Sequence, residues 1–181
     1  MSSKSKRVFP NSIGNIYHKA DGIEIVKATS EHAGYLQHRL RTTDIRECMI
    51  SGASPWAALH LPLADKSGQT WTILINGEPA CMYGVSGISD EDDLYSAVIW
   101  LLGSDLIDKE WRKFLRVTKQ IVEHLQTQFD ILENVVPADH NKTIKWLSWL
   151  GFMFAHKPTV INGFNCVRFV RCNYNIEVRF E

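Results

Sequence analysis

The chain has 181 residues, with 20 Lys plus Arg against 20 Asp plus Glu and no net charge. That length suits one domain burying about two thirds of its unfolded surface, which argues against separate catalytic and regulatory domains. The balanced charge excludes a global field that would draw the protein onto nucleic acid or an anionic membrane.

Cys48, Cys81, Cys166 and Cys172 form no CxxC pair and are too few for a disulfide framework. They are expected as free thiols in a reducing cytosol. The opening MSSKSKRVFPNSIG is basic but lacks the apolar stretch of a signal peptide, and no later run approaches the roughly 20 apolar residues of a membrane helix. Residues 1–22 are expected as a flexible arm, 23–172 as the folded domain and 173–181 as a tail.

Along the domain the periodicities alternate in type. Ile23, Ile25 and Ala28 mark a short strand, after which Thr29 or Ser30 can cap a helix carrying Ala33, Leu36 and Leu40. Thr43 or Asp44 can open a second helix through Ile45, Cys48 and Met49, with Gly52 as its stop. Ser54 to Ala64 is apolar and holds two prolines, which leaves it open between a further helical turn and a lid. Thr70 to Leu74 alternates, and Asn76-Gly77 suits a hairpin turn with positive φ at both positions, returning through EPACMYGVSGI. LYSAVIWLL is nearly all apolar, the pattern of a central strand buried on both faces. Trp111, Phe114, Leu115, Thr118, Ile121, Val122 and Leu125 recur at helical spacing. A strand at Ile131 to Val136, a helix from about His140 to Leu150 stopped by Gly151, and strands at Phe152 to His156 and Phe164 to Cys172 complete the chain, with Asn162-Gly163 as a turn. The expected class is α/β (α+β), a single mixed central sheet with helices on both faces, in the order β-α-α-β-β-β-α-β-α-β-β.

From about Ile23 to Cys172 this order resembles the GNAT acyltransferases. Asn141, Leu147, Leu150 and Gly151-Phe152 resemble the family's closing segment, where Asn can cap a helix and Gly turn the chain into the next strand. VKATSEHAGYLQHRLRTTDIRECMISG, VIWLLGS and WLSWLGF together resemble the acetyltransferase-like internal virion or assembly proteins of short-tailed bacteriophages. That resemblance implies a phage protein made in a bacterial cytoplasm, with other phage or virion proteins as partners and the virion as a further location.

The GNAT resemblance implies acetyl-CoA at a splayed central strand, its pyrophosphate cradled by a glycine-rich turn at a helix N-terminus. Here that turn is Leu102 to Asp108; Leu102, Gly103, Ser104 and Asn141 are the cofactor-binding candidates, but Asp105 and Asp108 suit helix caps and would repel a diphosphate. The resemblance also implies a Tyr general acid four residues before the closing Gly, where this chain has Leu147. Glu133 and His140 are candidate general bases and Ser148 a candidate hydrogen-bond donor. Each also has an ordinary explanation as a strand or helix-end residue. Asp90 to Asp93 read as a solvated loop or an entrance for a cation, Cys81 as core, and no spacing supports a metal site. Trp146, Trp149, Phe152 and Phe154 are candidates for a recognition surface. Two functions follow: a catalytically degenerate phage protein acting through protein contacts, which is preferred, or an active acetyl-CoA-dependent N-acetyltransferase.

Overall fold

The computed structural model describes residues 22–65, 69–91 and 94–173. The expected arm up to residue 21, the tail from residue 174, and Asp92 and Asp93 lie outside the described residues.

Strand β1 (Ile23–Lys27) leads into α1 (Ser30–Leu36), where the Thr29 hydroxyl accepts the His32 N–H at 3.3 Å as an N-cap. Helix α2 (Thr42–Ile50) begins without a side-chain cap, because its N-cap position is Arg41, whose side chain has no acceptor; Asp44, expected as an opener, lies inside the first turn and is 1% exposed. Gly52 stops it at φ +74°. The apolar, proline-bearing stretch forms α3 (Pro55–Ala64): Ser54 Oγ accepts the Ala57 N–H at 3.2 Å, and Pro55 takes the first helical position, where its missing N–H costs nothing. β2 (Gln69–Ile75) and β3 (Glu78–Glu91) are joined by Asn76 and Gly77 at φ +53° and +82°, as the hairpin signal requires.

Then come β4 (Leu94–Gly103), a single turn α4 (Leu106–Lys109), and α5 (Trp111–Gln126), which buries Phe114, Val117, Thr118, Ile121, Val122 and Leu125 along one stripe. β5 (Ile131–Pro137), α6 (Asn141–Trp149), β6 (Met153–Phe154), β7 (Thr159–Ile161) and β8 (Phe164–Cys172) follow. Beyond the expected order the chain adds α3, α4 and β7.

The strands form one eight-stranded mixed sheet in the order β1-β2-β3-β4-β5-β8-β6, with β7 also on β8. Side chains alternate across it: Cys81, Tyr83 and Val85 join the core under α5 and α6, whereas Met82 joins the core under α1, α2 and α3. Helices therefore cover both faces, as the sequence pattern implied. Among the described residues no helix is long and apolar enough to cross a membrane, and all four cysteines are free thiols.

Candidate functional site

The sheet forks at its middle. β4 and β5 run parallel but pair only through Ser96–Ile131, Ala97–Leu132 and Val98–Glu133, although β3 holds β4 as far as Gly103 and β8 holds β5 as far as Pro137. Where the next pair would form, the Asn134 amide donates to the Ile99 carbonyl at 2.7 Å and its oxygen accepts the Val135 N–H at 2.7 Å. A side chain thus closes the end of the ladder. The fork also explains why β4, expected to be buried on both faces, is mostly half-buried, with only Ala97, Leu102 and Gly103 fully enclosed.

One arm of the fork ends in the Leu102 to Asp108 turn, and this turn is closed on itself. The Gly103 N–H donates to Asp44 Oδ2 at 3.1 Å, and the Ser104 N–H to the Ala80 carbonyl at 2.9 Å. The Ile107 N–H returns to the Ser104 carbonyl, and the Asp108 and Lys109 N–H groups to that of Asp105. Gly103 is glycine for packing: a Cβ there would lie 2.3 Å from Ile107 Cδ1, 2.7 Å from Cys81 Cβ and 2.8 Å from the Ala80 oxygen. Asp105 stands at the start of α4 without a side-chain cap bond, and Asp108 pairs with Lys142. Asp105 thus holds the N-cap position expected of it, though without the side-chain bond, and Asp108 lies in the first turn. The Gly103 and Ser104 amides are thus turned away from any diphosphate, and Asp105 adds a carboxylate that would oppose one.

Between α2, the start of α5 and α6 lies a cavity of about 460 Å³. Arg41 makes two bonds to Asp44, Nε to Oδ2 at 2.7 Å and Nη2 to Oδ1 at 2.9 Å. Burial pushes the Asp44 carboxyl above its ordinary range, opposed by Arg41 and the Gly103 N–H. Burial likewise raises Glu47, opposed by His140, whose Nδ1 lies 3.4 Å from Glu47 Oε1. His140 Nε2 is 3.2 Å from Thr143 Oγ1, while its buried Nδ1 has no hydrogen-bond partner. Trp111, Phe114 and Trp146 contribute aromatic wall; the Trp146 indole N–H donates to Thr118 Oγ1 at 3.3 Å, and its ring tilts on Phe114 with centroids 5.3 Å apart. A smaller cavity of about 90 Å³ reaches from Trp146 to Asn134 at the fork. Outside, Arg46 Nη1 donates to both oxygens of Asp139 at 2.8 and 2.9 Å, and Asn162 Nδ2 to the Ile50 carbonyl at 2.8 Å, which fastens α2 across the open end.

The candidate residues separate. His140 lines the larger cavity. Glu133 is tied to Arg168 across β5 and β8, with Nε at 2.9 Å, and lines neither cavity. Ser148 is exposed and away from both, and Leu147 is core at 4% exposure. Asn141 is exposed at the first position of α6, and His140 holds the N-cap position without a side-chain bond, which corrects the expected Asn141 cap. Leu102 is buried with Met82, and Gly103 and Ser104 are enclosed in the turn. Cys81 is fully buried and its thiol is pushed above its ordinary range by desolvation. Among the described residues no group of three or more His, Cys, Asp or Glu is placed to hold a metal ion. Of the four aromatic residues, Phe152 is buried, Phe154 packs near Phe169 and Trp146 lines the cavity, so only Trp149, at 52% exposure, stays on the surface. The acidic residues of α2 escaped the sequence reading. Their signal was the four-residue spacing of Leu40, Asp44 and Cys48, a charge inside a buried stripe.

This forked sheet flanked by helices is the fold of the GNAT acetyltransferases. No protein-family profile and no curated protein matches the chain. Solved structures do. A ribosomal-protein-S5-alanine acetyltransferase from Vibrio fischeri superposes with a TM-score of 0.62 at 11% identity, covering 88% of this chain and 98% of that one. A GNAT-family acetyltransferase from Bacillus anthracis gives 0.63 at 7% identity, covering 85% and 96%. The spermidine N-acetyltransferase from Vibrio cholerae, in complex with CoA and spermine, gives 0.62 at 12% identity, covering 84% and 96%. At such identities the likeness establishes the fold.

Proposed function

We propose that the chain is a bacteriophage protein that keeps the GNAT fold without acetyl transfer and acts through protein contacts, in virion assembly or as a virion component. The turn after β4 carries this reading: Gly103 packs on Ile107 and Cys81, the Gly103 and Ser104 amides are bonded inward, and Asp105 adds negative charge where a diphosphate would have to sit. Leu147, held in the core where the family resemblance calls for a Tyr, provides no proton donor. The phage part of the reading is supported by the sequence resemblance of three segments and the contact part by exposed Trp149. Calorimetry with acetyl-CoA is expected to show no binding, and mass spectrometry of purified particles is expected to find the protein. Micromolar binding together with turnover of an amine would overturn the reading; absence from mature particles would confine it to assembly.

A further inference from the structure

Among the described residues, the floor of the larger cavity is polar and left incomplete. Glu47 meets His140 Nδ1 at 3.4 Å without hydrogen-bond geometry, whereas charge-assisted bonds run at about 2.7–2.9 Å. The nearby cations are engaged: Arg41 with both oxygens of Asp44, Lys142 with Asp108, and Arg112 over one face of the Trp111 ring at 5.0 Å. Native proteins rarely leave a buried polar nitrogen unsatisfied without a reason. Among the described residues lining the cavity, Arg41 pairs with Asp44 and Lys142 with Asp108, which leaves Glu47 as the third carboxylate facing it. Trp111, Phe114 and Trp146 line the same cavity. A planar cation satisfies both features, by bidentate bonds to a carboxylate and by stacking on an indole.

We propose that this cavity is a docking pocket for an arginine side chain of a partner protein, its guanidinium paired with Glu47 and laid against Trp111 and Trp146. Its volume of about 460 Å³ admits the side chain with flanking backbone. The inference rests on the reading of the chain as a protein that works by contacts, and it names the partner's chemistry.

The test is a titration of the whole protein with N-acetyl-arginine amide, read by NMR at the indole N–H signals of Trp111 and Trp146. Saturable shifts are expected, with the lysine analogue at least about tenfold weaker because a point charge lacks the fork, and the neutral citrulline analogue without effect. Glu47→Gln is expected to lose about tenfold or more in affinity. A thermal melt checks that it folds; if it does not, Trp111→Ala, at a side chain already 49% exposed, is expected to weaken binding in the same way. Equal binding of citrulline or lysine, or affinity unchanged in the folded variant, would overturn the proposal. Acetyl-CoA calorimetry reads separately: heat there would overturn the contact reading whatever arginine does.

Discussion

Asp44 and Glu47 stand three residues apart on α2, both drawn into the same crowded region with carboxyl groups raised by burial. One is complete. Asp44 accepts two bonds from Arg41 and one from the Gly103 N–H, tying α2 to the end of β4. Among the described residues Glu47 has only the loose approach of His140. Carboxylates so close in sequence can thus serve opposite ends. The first is consumed by the architecture, together with the Gly103 amide; the second is left facing a cavity.

Breaking the satisfied member should do the greater damage. Asp44→Ala strands the half-buried Arg41 guanidinium and the Gly103 amide, and loss of one partner of a buried pair costs about 3–5 kcal/mol. Urea denaturation should show that fall, and Asp44→Asn a smaller one, because an amide oxygen still accepts the Gly103 N–H. A variant as stable as the parent would show that Asp44 does not organise the turn. Gly103→Ala comes next. Its methyl would meet the Ala80 oxygen at 2.8 Å as well as two side chains, and overpacking of this kind costs about 1–3 kcal/mol.

This contrast also marks where the sequence could be read. Hairpin, helix stripe and stop signals are local, so Asn76-Gly77, the α5 periodicity and Gly151 revealed themselves from their own residue types. The closed turn was partly visible, since Asp105 and Asp108 already argued against a diphosphate. The use of Asp44 was not: a helix-opening Asp and a buried Asp look alike until Arg41 and a glycine 59 positions later are brought to it. His140 has the residue type of a base, but its neighbour Glu47 lies on a different helix, and only the fold joins them. Glu133 and Ser148 failed to meet His140 for the same reason. Register on β5 hands Glu133 to Arg168, and the turn of α6 carries Ser148 to the surface.

Altering the incomplete member should have a modest effect of the opposite sign. Burial raises the folded pKa of Glu47 above its unfolded value, so its proton is held more tightly by the native state. The stability this gives is present below the unfolded value and lost as pH rises through the folded one. Gln is neutral throughout and escapes that loss. Glu47→Gln should therefore melt higher than the parent at neutral pH, with the gain disappearing below about pH 4, where both carboxyl states are protonated. A lower melting temperature at neutral pH would mean that the attraction of His140 exceeds the desolvation of the carboxylate.

The smallest effect is expected at the outer fastening of α2. Arg46 holds both oxygens of Asp139, but the two side chains are 39% and 66% exposed, and water and salt weaken such pairs. Arg46 depresses the Asp139 carboxyl below its usual range, so its contribution is present at neutral pH and fades as pH falls through that lowered value. Arg46→Ala should accordingly lower the melting temperature slightly in dilute buffer and less in concentrated salt. It also removes the guanidinium 5.4 Å from the Phe164 ring, a contact that salt screens less than the ion pair. Loss persisting in concentrated salt would assign the fastening to Phe164; loss confined to dilute buffer would assign it to Asp139.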